Sequence, residues 1–247
     1  MSIRGITFDL WDTLVHDDSD EHHRAAKGLR SKRDERRHLL WEALNADAPI
    51  DQHTVTVAYD AVDAAFNKVW KEHHITWPIA ERLDIIIKGL DRPRPKEWDS
   101  LVHTTSIMEV EMPPDIIENC LETLQSLSQT HTLAIVSDAI VTPGSELRNL
   151  LKNHQIAEYF SAFAFSDEIG HSKPHPDMFT KVLREMNLSP EEVVHIGDRD
   201  HNDIKGAQAM GMKAILFTAT RDVDAATTSA DAICSSYTEL SETIQRL

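Results

Sequence analysis

The sequence predicts an α/β chain: a parallel sheet with helices on both faces, and a helical domain inserted after the first strand. Three observations predict it. From Pro113 onward, near-continuous apolar runs of strand-forming residues alternate with amphipathic segments, as in strands buried on both faces. One similar run, "GITFDL", stands alone near the N-terminus. Between them, residues 17–112 are polar and helical in periodicity, with no convincing strand.

"GITFDL" is apolar and rich in β-formers, so it reads as a buried strand. The following region shows helical patterns around Glu21–Asn45, His53–His74 and Ile79–Gly89. "PPDIIENCLETLQSL" reads as an amphipathic helix starting near Asp115, with prolines ahead of it. Then come strand "TLAIVSD", helix "GSELRNLLKNH", short strand "AFAFSD" and helix "HPDMFTKVLREMN". Strand "EVVHIGD" leads to helix "NDIKGAQAMG", which ends on a glycine, and to strand "KAILFT". "ADAICSS" and "YTELSETIQRL" close the chain as a small strand and a helix. No internal repeat or low-complexity tract is visible.

Composition excludes several classes. The chain has 247 residues, 41% hydrophobic, enough to bury a real core. A formal charge of −16 argues against nucleic-acid binding, because phosphate backbones reward basic surfaces. Of the two cysteines, Cys120 lies among apolar residues at helical spacing and Cys234 in a short apolar segment. Neither suggests a disulfide framework or a zinc site. No apolar stretch is long enough to span a bilayer, and no signal peptide is apparent. The expectation is a soluble, reduced, cytoplasmic protein; its oligomeric state is left open.

In open parallel sheets, ligands bind at the carboxyl ends of the strands. Here those ends carry Asp9, then Ser137 and Asp138, then Lys173 in "EIGHSKPHP", then Gly197–Asp198 with Asp203 shortly after. A lone Asp at a strand end is usually a turn or cap residue. Together these residues put a nucleophile candidate, a hydroxyl, a lysine and further acids around one crevice.

The same stretches resemble the motifs of the haloacid dehalogenase-like (HAD) hydrolase superfamily, subfamily I with a helical C1 cap. "FDLWDTL" is similar to its first motif, "IVSD" to its second, "SKPHPDMF" to its third and "IGDRDHNDIKGAQAMGM" to its fourth. The resemblance covers Gly5 to Val15 and Pro113 to about Tyr237. It implies a Rossmann-like core at 1–16 and 113–247, with the cap at 17–112. It further implies a phosphatase acting on a small phosphorylated metabolite, with Asp9 attacking phosphorus to form an aspartyl phosphate. Mg²⁺ is the implied cofactor, held by Asp9 and Asp198, the Trp11 backbone carbonyl and, directly or through water, Asp203. Lys173 would brace Asp9 and the phosphoryl group. Ser137, Asp138 and nearby backbone N–H groups would lie on the substrate side. As a bare residue Asp203 also reads as an N-cap for the helix it precedes.

The chain departs from the family pattern at Trp11, where HAD phosphatases carry an Asp that serves as general acid and base. An indole cannot replace it, and Asp12 would face away if the chain stayed extended. Other branches differ at this position too: haloacid dehalogenases place Tyr there. A metal-free dehalogenase is therefore an alternative, as is a catalytically weak phospho-ligand binder. Asp198 argues against the dehalogenase, because those relatives carry uncharged Ser and Asn in this stretch.

Four of the five tryptophans, Trp41, Trp70, Trp77 and Trp98, fall in the helical region, where packing is the plainer reading than an aromatic recognition box. The basic run "RAAKGLRSKRDERRH" reads as a solvated helix face, with recognition of an anion as the other option. The pairs His22–His23 and His73–His74 point in different directions on a helix and are discounted as metal ligands.

Overall fold

A computed structural model describes residues 2–247. Its six strands are β1 (Gly5–Phe8), β2 (Thr132–Ser137), β3 (Phe160–Phe165), β4 (Val193–Gly197), β5 (Lys213–Phe217) and β6 (Ala232–Cys234). All pair in parallel, in the order β3-β2-β1-β4-β5-β6. β1 is buried at all four positions and sits between β2 and β4. The chain runs outward from β1 through β2 to β3, then crosses back to β4 on the other side of β1, and this reversal of strand order opens a crevice beyond the carboxyl ends of these strands.

Side-chain alternation divides the sheet into two apolar faces. Ile6, Phe8, Ile135, Ile196 and Ile215 join one core cluster, packed by α7 (Cys120–Leu127), α8 (Gly144–Asn153) and α12 (Tyr237–Gln245). Ala134, Val136, Val193, Ala214 and Leu216 join the other, under α10 (Pro176–Met186) and α11 (Lys205–Ala209). A short α9 (Ser166–Ile169) follows β3. Cys120 and Cys234 are both free and buried, as their apolar contexts imply.

Six helices fall between β1 and the chain's return to the sheet: α1 (Asp20–Ala26), α2 (Lys32–Asp47), α3 (Gln52–His73), α4 (Ile79–Gly89), α5 (Trp98–Ser106) and α6 (Met108–Glu111). They have a core of their own, built from Leu40, Leu44, Val55, Tyr59, Leu83, Ile86 and Leu101 among others. No helix among the described residues is long and apolar enough to cross a membrane.

The structure corrects two helix boundaries. The pattern expected over Glu21–Asn45 breaks at residues 27–31, where Gly28 takes φ +69° and Ser31 caps α2 by accepting from the Asp34 N–H at 3.0 Å. The helix expected from Asp115 begins only at Cys120. Ile116 bridges Val15, the Ile117 N–H donates to the Leu14 carbonyl at 3.0 Å, and Asn119 turns the chain at φ 61°. Sheet-end contacts outcompete helical propensity there.

The basic run is a solvated face only in part: Lys27, Arg30 and Arg33 are exposed, but other cations of the run are not. Lys32 is buried, and its ammonium reaches Asp20 at 2.8 Å, Asp18 at 3.1 Å and Glu109 at 3.2 Å. Arg37 is buried against Asp60 and Asp63. A buried cation needs paired acids, and three different segments supply them.

Candidate active-site cleft

β1 ends at Phe8, and the Asp9 N–H continues the ladder by donating to the Ile196 carbonyl at 2.9 Å. The chain then folds into a tight turn. The N–H groups of Leu14 and Val15 both donate to the Leu10 carbonyl, at 2.8 and 3.1 Å. Asp12 lies within this turn at φ 56°, and its carboxylate accepts from the Asp17 N–H. It is not part of the cleft wall. Trp11 does line the cleft, and its indole N–H donates to the Asp138 carbonyl at 3.2 Å, which ties the β1 loop to the end of β2.

Asp138 also lines the cleft, and its carboxylate accepts from the Lys173 N–H at 2.9 Å. Burial pushes its carboxyl up to about 7, against the opposing attraction of Lys173. Ser137, one residue earlier, is fully buried behind that wall, with a hydroxyl that has no protein partner.

Lys173 enters from the segment after α9 and is 3% exposed. Its ammonium contacts Asp9 and Asp203 at 2.6 Å each. Burial disfavours its charge, but Asp203, Asp9 and Asp138 outweigh that and raise its pKa. Backbone bonds pin this segment to the helical region: the Ser172 N–H donates to the His74 carbonyl at 2.8 Å, and Ile75 bridges His171.

After β4 come Asp198 and a π-helical turn, Asp200–Ile204, that runs into α11. Asp203 lies inside this turn, so it is not the N-cap its position suggests. Its carboxylate accepts from the Arg199 N–H at 3.0 Å, holds Lys173 and meets the His195 imidazole at 3.2 Å. Burial opposes its ionisation, yet Lys173 and His195 hold the carboxyl well below the usual carboxylate range. Gly197 makes room for this packing: a Cβ there would lie 2.6 Å from the Asp203 Cβ.

Asp9, Asp198 and Asp203 each place an oxygen within 4.8 Å of the others. Asp198 is 1% exposed, and neither of its carboxylate oxygens has a hydrogen-bond partner. Burial, then the charges of Asp203 and Asp9, push its carboxyl up to about 8. Burial likewise pushes Asp9 up, with Lys173 opposing and Asp203 reinforcing. Three hard carboxylates thus face one buried ammonium, with the Arg199 and Arg221 guanidiniums 3.6 and 3.9 Å from Asp198, and among the described residues the oxygens of Asp198 have no hydrogen-bond donor. This donor set fits a small divalent cation.

The cleft has a volume of about 310 Å³, and a second lobe of about 320 Å³ shares Trp70, Lys173, Arg199 and Asn202 with it. The helical region contributes Arg36, Trp70 and Glu109 to the wall. Of the four tryptophans in that region, Trp70 alone lines the cleft; Trp41 instead donates to the Ile50 carbonyl.

Sequence reasoning missed several residues here. His195 sits within apolar β4, its second ring nitrogen paired with the Thr7 hydroxyl at 2.8 Å. Thr7 and His195 are register partners on adjacent central strands, a polar pair in two apolar runs that could have flagged them. Glu109 carried no local signal, and Arg36 was visible only as one cation of the basic run. His171, His175 and Asp177 also cluster, but the two imidazoles stack in nearly parallel planes 3.7 Å apart, so one ion cannot lie in the plane of both rings.

A family profile described as haloacid dehalogenase-like hydrolase matches residues 59–217. The match starts after Asp9 and Trp11. The chain is 29% identical over 177 residues to a glyceraldehyde 3-phosphate phosphatase of Pyrococcus abyssi, covering 70% of this chain and 71% of that protein. It is 25% identical over 228 residues to a phosphoglycolate phosphatase of Salmonella typhi, covering 88% and 82%. Among solved structures it resembles a HAD-hydrolase from Bacillus subtilis bound to magnesium, with a TM-score of 0.63, 18% identity and 99% coverage of both chains.

Proposed function

The chain belongs to the haloacid dehalogenase-like hydrolase family, and from that premise we propose that it is a Mg²⁺-dependent phosphatase of a small phosphorylated metabolite. The observation that carries the reading is Asp198, a buried carboxylate whose two oxygens have no donor, beside the Asp9 carboxylate. A haloacid dehalogenase displaces halide from carbon without a metal, and an uncompensated acid next to its nucleophile would only cost it stability.

In this reading Asp9 is the nucleophile. A carboxylate oxygen bonds to phosphorus, the bond from phosphorus to the substrate oxygen breaks, and water then hydrolyses the aspartyl phosphate. Lys173, 2.6 Å from Asp9, holds that carboxylate in one rotamer and offsets the charge of the incoming phosphoryl group. Asp9, Asp198, Asp203 and the Trp11 carbonyl would hold the Mg²⁺, whose contribution when bound is to neutralise and orient phosphoryl oxygens. Asp138, which lines the cleft, would face the phosphoryl group, and Ser137, buried behind it with an unpartnered hydroxyl, would support that wall. Residues 17–112 serve as the cap over a core of 1–16 and 113–247; their separate apolar cluster and the cleft positions of Arg36, Trp70 and Glu109 support this.

With Trp11 in place of an acid, the leaving oxygen departs with little protonation, which suits aryl or acyl phosphates. The test is a panel of alkyl, aryl and acyl phosphates and 2-haloacids, each with Mg²⁺ or with EDTA, on wild type and on Asp9→Asn. Phosphate release that needs both Mg²⁺ and Asp9 is expected. Halide release in EDTA would replace the reading with dehalogenation.

A further inference from the structure

The two lobes of the cleft differ in charge. The first mixes Asp17, Asp18, Glu109 and the acids around Asp9 with Arg36, Lys173 and Arg199. The second contains Lys71, His74, His201 and Arg199, with Trp70 and Asn202, and no carboxylate at all. In a chain of net charge −16, this lobe is lined by cations and imidazoles without an acid.

These side chains come from separate elements. Trp70 and Lys71 lie in the last turn of α3, and His74 is its left-handed cap. Arg199 and His201 lie at the start of the π-helical turn after β4. The His74 and His201 ring centres lie 5.9 Å apart, with the rings tilted 44° to each other. Burial, then the neighbouring His201 and His175, lower the His74 pKa. Lys71 favours the α3 C-terminus on helix-dipole grounds alone. That argument does not reach Arg199 or His201, which converge on the same space from the opposite wall.

Lys71 is uncommitted: among the described residues it has no carboxylate within ion-pairing distance, whereas Lys68, one turn away, pairs with Glu72. Arg199 lies 3.6 Å from Asp198, an ion pair longer than a hydrogen bond, and it lines both lobes. By contrast Lys173, on the boundary between the lobes, is saturated by Asp9 and Asp203.

We propose that the second lobe is a subsite for a second anionic group, a carboxylate or a phosphate, on the leaving portion of the substrate, held by Arg199, Lys71 and the His74–His201 pair. The substrate is then a small phosphate ester or anhydride with a negative charge at each end. One end sits against Asp9, and the other reaches across Trp70 and Asn202 into the basic lobe. This rests on the phosphatase reading above and adds the substrate class to it.

The experiment compares kcat/KM for matched pairs: a two-carbon phosphate ester ending in a carboxylate against its carboxamide, and a phenyl phosphate carrying a carboxylate against its carboxamide. Wild type is expected to favour the carboxylate at least tenfold in one pair, chiefly through KM. Lys71→Ala combined with His201→Ala should collapse that ratio towards one, and Lys71→Glu should invert it, in proteins with wild-type circular dichroism. Lys71 and His201 are both exposed, so neither change removes core packing. Phosphate release with a wild-type ratio near one in both pairs, or a ratio that the variants leave intact, overturns the subsite and spares the phosphatase. No phosphate release from any ester overturns both.

Discussion

Carrying the metal-free protein through the titration of Asp198 probes the carboxylate cluster directly. Burial, reinforced by Asp203 and Asp9, pushes this carboxyl from an ordinary value of 3.8 up to about 8. A carboxyl raised on folding keeps a proton that the unfolded chain has released. Between these two values the folded state therefore binds more protons, and metal-free stability falls as pH rises through the window. Mg²⁺ has the opposite preference, because it needs the ionised carboxylate. With a titration at about 8, about half of the Asp198 carboxyls are ionised at pH 8 and about one in a hundred at pH 6, so apparent Mg²⁺ affinity should weaken about fifty-fold. Titration calorimetry at pH 6, 7 and 8, in buffers of different protonation enthalpy, measures both affinity and proton release. About one proton per ion is expected at pH 6 and about half a proton at pH 8. Thermal denaturation should show the same trend, with Mg²⁺ raising Tm more at pH 8 than at pH 6. Asp198→Asn should lose the pH dependence together with most of the binding. Equal affinity at pH 6 and pH 8 with no proton release would refute the assignment of Asp198 as a buried, cation-seeking carboxylate.

Two further outcomes follow from the geometry. Gly197→Ala places a Cβ 2.6 Å from the Asp203 Cβ, which should cost about 1–3 kcal/mol in denaturant unfolding and, by moving the carboxylate that holds Lys173, about 10²-fold in phosphate release; Gly89→Ala, with nothing within 4 Å, is the tolerated control. Trp11→Asp should outpace Trp11→Asn on alkyl phosphates in a pH-dependent way, because only the carboxyl can give a proton; equal rates in the two variants, both below wild type, would show that the indole itself is a positive part of the site.

Legibility in the sequence followed the range of the interactions. The strands were readable because burial on both faces leaves an unbroken apolar run. The strand-end residues Asp9, Asp138, Lys173 and Asp198 were readable because parallel sheets gather their carboxyl ends. What escaped was decided by partners remote in the chain. The basic run looked solvated because periodicity shows charge and not its counter-charge; Lys32 is matched by Glu109, more than seventy residues later. The helix expected from Asp115 gave way to pairing of Ile116 and Ile117 with the β1 loop, a contact no local window contains. His195 was hidden because an imidazole inside an apolar strand reads as a packing residue until Asp203 and Thr7 are placed around it.

Trp11 brings these ranges together. Its position, two residues after Asp9, was readable as the place where a phosphatase acid is missing, but its bond to the Asp138 carbonyl was not. That single neutral hydrogen bond, about 0.5–1.5 kcal/mol on ordinary terms, joins the loops after β1 and β2 at the point where the Asp138 carboxylate also receives the Lys173 N–H. The indole therefore fixes the wall that Asp138 and Lys173 share, whatever it fails to do for a departing oxygen. A carboxylate in its place would gain a proton to donate, lose that tie and add a fourth acid to a cluster in which burial and like charge already hold Asp198 at about 8. The sequence choice at Trp11 thus lowers the electrostatic cost of assembling Asp9, Asp198 and Asp203 around one lysine, and under the phosphatase proposal it would transfer the chemical demand to the substrate, which would then have to bring a leaving group that departs unaided.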